Sequence, residues 1–198
     1  ATVFRLGDLC FGLTICEDIW QPGPVAACRA AGAEAIISIN GSPYEARSQE
    51  NRERAAASRI TESNIPIVYL NMVGGQDELV FDGGSFVTDA RGQVRHRAPF
   101  FRESETLVEL QGGVPQPADI QPFADDEEQV YDALVTGTRD YVRKNGFSSV
   151  VLGLSGGIDS STVVGLVADV RAERGVREQH TFSACFEGEG IDERGVWY

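Results

Sequence analysis

The strongest candidate for a chemical site is a glycine-rich turn between an apolar run and a helix. Residues 150–154 (VVLGL) predict a buried strand, and Ser155–Ser160 (SGGIDS) follow it directly. Glycine lets backbone N–H groups approach an anion closely, and the N-terminus of the next helix favours negative charge. Asp159 suits Mg²⁺ held on a triphosphate better than a bare phosphate. Because the Lys of the G-x-x-x-x-G-K-[ST] loop is missing, this is not a P-loop; the structural alternative is a glycine turn with an Asp N-cap.

A second candidate is Cys16, which ends an apolar run inside Leu13–Trp20 (LTICEDIW). A Cys at the end of a buried strand is partly exposed on a fixed backbone, so its thiolate could attack an amide carbon. The alternative is a buried structural thiol, which is the interpretation given to Cys10, Cys28 and Cys185. The four Cys show no Cys-x-x-Cys spacing and the chain has only two His, so neither a disulfide frame nor a His-based metal site is expected. Reduced thiols favour a cytoplasmic protein.

These segments resemble known families. Ser155–Ser160 resembles the pyrophosphate loop of the N-type ATP pyrophosphatases, which adenylate a substrate oxygen, release pyrophosphate and let ammonia displace AMP. Leu13–Trp20 resembles the nucleophile turn of the nitrilase superfamily. Asn71–Ser85 (NMVGGQDELVFDGGS) is similar to the glutaminase half of the glutamine-dependent NAD synthetases. The resemblance covers about residues 1–160 and implies an ATP-dependent C–N ligase that takes its amide nitrogen from glutamine.

The resemblance also implies roles for individual residues. Cys16 would be the nucleophile that releases ammonia from glutamine, and Ser42 in the turn Asn40–Tyr44 would bind glutamine. The family places a Lys or Arg six residues after that Ser, but Ser48 stands there. Arg47 lies one residue earlier and is therefore the candidate glutamine contact, with an exposed Arg at a helix start as the alternative. The ATP-binding residues would be Gly153, Leu154, Ser155, Gly156, Gly157, Ile158, Asp159 and Ser160, with Asp159 also holding the metal.

The implied cofactors are ATP and Mg²⁺, and the implied partners are small molecules: glutamine, ATP and deamido-NAD, whose adenylated carboxylate becomes the amide of NAD. The resemblance also implies a homo-oligomer of the intact protein. The chain has 198 residues with 17 Lys and Arg against 30 Asp and Glu, a net charge of −13. That charge disfavours binding to nucleic acid or to an anionic membrane surface. No apolar run approaches the roughly 20 residues that span a bilayer.

Two departures from the family pattern leave alternatives open. Nitrilase-type glutaminases also use a Glu and a Lys upstream of the Cys, and only 15 residues precede Cys16, so this chain alone is expected to be inactive. From Ser160 onwards the sequence resembles asparagine synthetase, including His180–Phe186 and Ile191–Arg194. The alternatives are therefore an amidotransferase acting on aspartate, a chimera that joins the two families, or a nucleotide-binding chain that catalyses nothing.

Hydrophobic periodicity predicts an α/β protein with two parts. The family resemblance implies that residues 1–110 are the C-terminal part of a nitrilase-like α/β sandwich and that residues 129–198 are the start of a doubly wound parallel ATP pyrophosphatase domain. The Pro, Gly and acidic residues of 111–128 predict a linker. Both ends fall next to predicted elements, so we expect a fragment. The predicted strands are residues 2–6, 9–15, 35–39, 67–71, 85–89, 93–97, 106–110, 149–154 and 180–186, and the predicted helices are residues 25–33, 46–64, 127–144 and 159–171.

Overall fold

The computed structural model describes residues 1–150. Its strands are β1 (Thr2–Leu6), β2 (Leu9–Ile15), β3 (Ala35–Asn40), β4 (Ile67–Asn71), β5 (Val73–Gln76), β6 (Leu79–Asp82), β7 (Phe86–Thr88), β8 (Val94–Arg97), β9 (Leu110–Gln111) and β10 (Val114–Pro115). Its α-helices are α1 (Pro24–Ala30), α2 (Ser48–Ser63) and α3 (Asp126–Lys144), and a 3₁₀ turn covers Cys16–Ile19.

A six-stranded mixed sheet in the order β1-β2-β3-β4-β7-β8 organises the first part. Strands β2, β3 and β4 are parallel, and the others join antiparallel. The crossovers between the parallel strands are α1 and α2, as β-α-β-α-β alternation predicts. The carboxyl ends of the three parallel strands therefore meet at one edge of the sheet.

The two faces of the sheet differ in burial. One face packs against α1 and α2, and its core includes Ile36, Ile67, Val25, Ala56 and Ile60. On this face the rows run Gly12–Ile36–Ile67 and Thr14–Ser38–Tyr69 across the strands. The opposite face carries apolar side chains that the described residues leave largely exposed, among them Ile15, Ile39 and Leu70 in one row.

Helix boundaries follow ordinary capping chemistry. Pro24 occupies the first turn of α1, where its missing N–H costs nothing. Helix α2 ends at Ser63, and Asn64, with a left-handed φ of 55°, closes the last turn ahead of Pro66. Asp125 caps α3 by accepting a hydrogen bond from the Glu128 N–H at 2.8 Å.

Several sequence-based expectations need correction. The strand predicted over residues 106–110 is wrong except at Leu110, because residues 102–107 are exposed and have no strand to pair with. The hairpin β5–β6 escaped prediction because Gly74 and Gly75 have low strand propensity. Helix α3, predicted over residues 127–144, spans Asp126–Lys144; its buried side chains are Ala133, Val135 and Thr136, while Val130, Leu134 and Tyr141 are exposed.

The segment expected to be a linker is partly folded onto the sheet. Ala118 donates to the Arg95 carbonyl at 2.8 Å, and Arg97 donates to the Asp119 carbonyl at 3.1 Å. Ile120 forms an isolated parallel bridge with Arg97. Residues 118–121 therefore run beside the edge strand β8 and satisfy its outer hydrogen-bonding groups.

Candidate active site

Cys16 opens the 3₁₀ turn directly after β2. Its φ is 46°, a left-handed conformation that non-glycine residues adopt rarely and that is found at functional sites where the surroundings enforce it. Asp18 helps to hold this conformation, because its carboxylate accepts a hydrogen bond from the Ile15 N–H at 2.9 Å across the turn. The Cys16 residue is half-buried, whereas Cys10 and Cys28 are buried. The backbone thus holds one accessible thiol at the edge of the sheet.

Strand register places two asparagines beside this cysteine. Ile15, Ile39 and Leu70 are aligned across β2, β3 and β4, and Asn40 pairs with Asn71 in the next row. Cys16 follows Ile15 directly, so it lies at the same carboxyl edge of the sheet as Asn40 and Asn71. A side chain placed at this edge is available to a ligand lying across the ends of the parallel strands.

Asn71 fixes the turn that contains Ser42. Its Oδ1 accepts a hydrogen bond from the Ser42 N–H at 2.9 Å, and its Nδ2 donates to the Ser42 carbonyl at 3.2 Å. The same Nδ2 donates to the Gly83 carbonyl at 3.0 Å. The turn after β3 is therefore tied both to β4 and to the loop after β6, and Ser42 has a defined position; Ser42 and Cys16 both lie close enough to Tyr69 to influence its pKa.

Sequence reasoning missed Arg52 and Asp82, which form a buried ion pair behind the Ser42 turn. Arg52 lies on the inner side of α2, and its guanidinium makes two hydrogen bonds of 2.8 Å to the carboxylate of Asp82 at the end of β6. Both side chains are almost completely buried. The available signal was helical spacing, since Arg52 shares a helix face with the buried Gln49 and Ala56.

Tyr69 lies on β4 two residues before Asn71 and is fully buried, with its ring stacked on Phe86 at 4.7 Å between centroids. Burial raises the pKa of Tyr69 to about 12 against the opposing charge of Arg52, and Cys16 contributes to the rise. The Ser42 hydroxyl lies close enough to lower that pKa, yet no hydrogen bond of ordinary geometry joins the Tyr69 hydroxyl to a described residue. The phenol is therefore protonated at neutral pH and has a free donor beside the candidate site.

Two predicted site elements remain, Arg47 and the ATP-binding loop. Arg47 is exposed at the N-cap of α2, in a left-handed conformation with φ of 62°. Its backbone carbonyl accepts from the Asn51 N–H at 3.2 Å. Ser48, at the position where the family has a basic residue, is half-buried in the first turn of α2. The predicted ATP-binding residues Gly153, Leu154, Ser155, Gly156, Gly157, Ile158, Asp159 and Ser160 lie outside the described residues, as does Cys185.

The hairpin β5–β6 connects this region to α3. Asp140 accepts a hydrogen bond from the Gly75 N–H at 2.7 Å, and Lys144 donates to the Gly75 carbonyl at 2.5 Å. Lys144 is the single lysine of the chain. Gly75 and Gly137 allow β5 and α3 to approach closely, because a Cβ on Gly75 would stand 3.0 Å from the Gly137 Cα.

Within residues 1–150, no group of three or more His, Cys, Asp or Glu side chains is arranged to hold a metal ion. None of the helices in this part of the chain has the length and apolar character needed to cross a membrane.

Two family models match successive parts of the chain. The carbon-nitrogen hydrolase family model matches residues 1–116, and the NAD synthase family model matches residues 130–180. The second match therefore extends past Ser160, into the segment that resembles asparagine synthetase.

Individual relatives agree with the family models. The chain is 47% identical over 169 residues to a glutamine-dependent NAD(+) synthetase of Rhodobacter capsulatus, covering 83% of this chain and 31% of that protein. It is 40% identical over 161 residues to the corresponding protein of Acinetobacter baylyi, covering 80% and 30%. A glutamine-dependent NAD+ synthetase from Acinetobacter baumannii, solved with ADP, has a TM-score of 0.85 at 32% identity and covers 98% of this chain and 37% of its own. The chain thus spans about a third of the length of the curated relatives it matches.

Proposed function

The chain belongs to the carbon-nitrogen hydrolase family, and on that premise we propose that Cys16 is the glutamine-directed nucleophile of a glutamine-dependent NAD synthetase. One observation carries the proposal. Cys16 is held in a left-handed conformation at the carboxyl edge of the parallel strands, beside the turn in which Asn71 fixes Ser42. Strain, accessibility and a preformed neighbouring turn are the features that a covalent site needs.

The chemistry follows from the thiol. The Cys16 thiolate attacks the side-chain amide carbon of glutamine, the carbon–nitrogen bond breaks, and the nitrogen takes up a proton and leaves as ammonia. Water then hydrolyses the thioester and releases glutamate and the thiol. In this proposal Ser42 binds the glutamine, and Arg47 is a second contact that reaches the site from the start of α2.

The ammonia would be used by the second part of the protein. We assign residues 1–110 to the C-terminal part of the glutaminase domain, 111–128 to the connection and 129–198 to the start of the synthetase domain. There ATP would adenylate the nicotinate carboxylate of deamido-NAD and release pyrophosphate, and ammonia would displace AMP to give NAD. The sequence of Ser155–Ser160 supports ATP binding, with Asp159 holding Mg²⁺ on the triphosphate.

The binding partners and cellular location proposed for the protein follow from its net charge and its cysteine chemistry. A net charge of −13 supports small-molecule partners and opposes nucleic acid or anionic membrane. The free thiols of Cys10, Cys16 and Cys28 support a reducing, cytoplasmic location. By the same family resemblance, the intact protein would be a homo-oligomer.

A labelling experiment tests the proposed nucleophile. A chloroketone analogue of glutamine forms a sulfur–carbon bond with a thiolate as chloride leaves, and iodoacetamide reports the thiol without glutamine recognition. Mass spectrometry of the labelled 198-residue chain should place the chloroketone on Cys16 and spare the buried Cys10 and Cys28, with excess glutamine protecting Cys16. Labelling that glutamine does not slow, or that ignores Cys16, would refute the role. Ammonia release is expected to be undetectable, because Lys144 is the single lysine and it is engaged by the β5–β6 hairpin.

A further inference from the structure

The hydrogen bonds of Arg52 leave it no donor for a ligand. Nε donates to the Ser42 Oγ at 3.1 Å, and Nη1 donates to Gln49 at 3.3 Å and to Asp82 at 2.8 Å. Nη2 donates to Asp82 at 2.8 Å and to the carbonyls of Ser42 and Pro43, both at 2.9 Å. A guanidinium has five N–H groups, so six acceptors account for all of them. Arg52 is also fully buried, so it cannot itself bind a substrate.

This arrangement sets the hydroxyl direction of Ser42. Because the Oγ atom accepts from Arg52 Nε, one lone pair is used and the hydroxyl proton must point away from the guanidinium. The backbone of Ser42 is fixed independently, through the two hydrogen bonds to Asn71. Ser42 is therefore prepared to donate a hydrogen bond away from Arg52, on the side where Tyr69 also lies.

Asp82 keeps the positive charge of Arg52 out of the site. The bidentate pair is almost fully buried, so the guanidinium charge is balanced within about 3 Å by the carboxylate. A ligand at Ser42 therefore meets a neutral hydroxyl donor and not a cation. Such a donor selects an oxygen acceptor and rejects an ammonium group at the same position.

We propose that Arg52, held by Asp82, is a positioning residue that fixes the Ser42 hydroxyl as a donor to an oxygen of the bound glutamine. This inference rests on the proposed function, since it names how the same site recognises its substrate. Arg52 acts through Ser42 and does not touch the substrate. Loss of one hydrogen bond to a charged or polarised group is expected to reduce recognition roughly tenfold to a hundredfold.

The test compares Arg52→Lys with Ser42→Ala in the full 198-residue chain. A lysine ammonium can keep the pair with Asp82 but cannot also reach the Ser42 Oγ, so this variant separates stability from positioning. The measured quantity is the rate of Cys16 labelling by the chloroketone analogue of glutamine divided by its rate with iodoacetamide. We expect each variant to lose this ratio by about tenfold or more, and the double variant to lose no more than either single one.

Three results would overturn the inference. A wild-type ratio in Arg52→Lys would show that the arginine is only structural, and a double variant with multiplied losses would show that Arg52 does not act through Ser42. An absent glutamine preference in the wild-type chain would instead refute the proposed function, and the inference with it. If Arg52→Lys fails to fold, nuclear magnetic resonance of the wild type and Ser42→Ala decides: the Arg52 Nε–H signal must be protected from exchange and must shift in Ser42→Ala, and an unprotected or unshifted signal overturns the inference.

Discussion

Asp140 on α3 and Gly75 on β5 are joined by a hydrogen bond of 2.7 Å from the glycine N–H to the carboxylate. The contact links residues far apart in the sequence, and Lys144 adds a second hydrogen bond to the carbonyl of the same glycine. The helix docks on the hairpin through Gly75 and Gly137, whose backbones approach too closely to admit a side chain without adjustment. This contact therefore depends on small residues and two charge-assisted hydrogen bonds.

Replacing Gly75 by Ala should loosen α3 from the hairpin. The new Cβ would stand 3.0 Å from the Gly137 Cα and 3.3 Å from the Thr136 carbonyl oxygen, so the helix must shift by a few tenths of an ångström. Overpacking of this kind costs about 1–3 kcal/mol. We expect faster acetylation of Lys144, the single lysine, measured by mass spectrometry with the N-terminal amine as internal reference.

Gly41→Ala is the matched control for that substitution. A Cβ on Gly41 would meet nothing nearer than a Phe81 ring carbon at 3.8 Å, which is ordinary contact. Lys144 should acetylate at the wild-type rate in this variant. Equal acetylation rates in Gly75→Ala and Gly41→Ala would contradict the docking geometry.

The turn between β7 and β8 should open at acidic pH through Asp89. Burial alone would raise the pKa of this carboxyl, but hydrogen bonds from the N–H groups of Gln93 and Arg91, together with the Arg95 guanidinium, outweigh burial and lower it. A lowered native pKa means that the stabilisation is complete above the unfolded pKa of about 3.9 and is lost as the pH falls through the native value. Amide-exchange protection of Arg91 and Gln93 should therefore be constant between about pH 7 and 5 and fall below about pH 4.

Asp89→Asn provides the control, because an amide does not titrate in this range. Protection of the two N–H groups should be lower than in the wild type near neutral pH and should not change on acidification. A wild-type protection that stays constant down to about pH 2 would refute the assignment of the effect to Asp89.

Periodicity predicted the β-α-β-α-β order from residue 9 to residue 71 because each apolar run there is bounded by Pro, Gly or Asn. It failed where packing between distant segments decides the outcome. The glycines of β5 predict a loop, yet the strand pairs with β6 and Gly75 is bound by Asp140 of α3, 65 residues further along the chain. The apolar residues near Leu107 predict a strand over residues 106–110, yet no neighbouring strand of the described residues pairs with residues 106–109, and Leu107 is exposed.

Some residues of the candidate site could likewise be placed from the sequence and others could not. The positions of Cys16 and Ser42 after the ends of β2 and β3 were predictable, because each follows an apolar run of the β-α-β alternation; their roles remain predictions. Arg52 and Asp82 were not predictable, since their pairing joins an interior helix position to a strand end 30 residues away. The only local signal for such a pair is a charged residue on the buried face of a helix.

The Ser155–Ser160 loop should bind Mg-ATP, because its glycines let backbone N–H groups approach the phosphates and the helix predicted to follow favours negative charge at its N-terminus. Asp159→Ala should remove the Mg²⁺ dependence, and Gly156→Val should block the approach of the phosphates. Calorimetric titration of the parent and both variants is the measurement. Three identical titration curves would refute the assignment of the nucleotide site.

The uncovered face of the sheet should govern the behaviour of the chain in solution. Ile15, Ile39 and Leu70 form one row across the parallel strands with exposures of 60%, 48% and 46%. Each Å² of apolar surface left in water forfeits about 25 cal/mol, and a whole domain is stable by only about 5–15 kcal/mol. A few hundred Å² of such surface is thus comparable to the entire stability. We expect the 198-residue chain to self-associate or to unfold without a cooperative transition.

Two lysine substitutions test whether self-association depends on this face of the sheet or on any exposed apolar residue. Ile39→Lys places a charge at the centre of the row, so we expect lower apparent mass in light scattering and less binding of a hydrophobic dye. Leu107→Lys changes an apolar residue that is 97% exposed and lies away from the sheet, so it should leave both readings unchanged. Because charge repulsion and desolvation act only where the surfaces meet, equal effects of the two substitutions would locate association elsewhere. A monomeric wild-type chain with one sharp calorimetric transition, at a midpoint typical of mesophilic domains, would show that this face needs no cover.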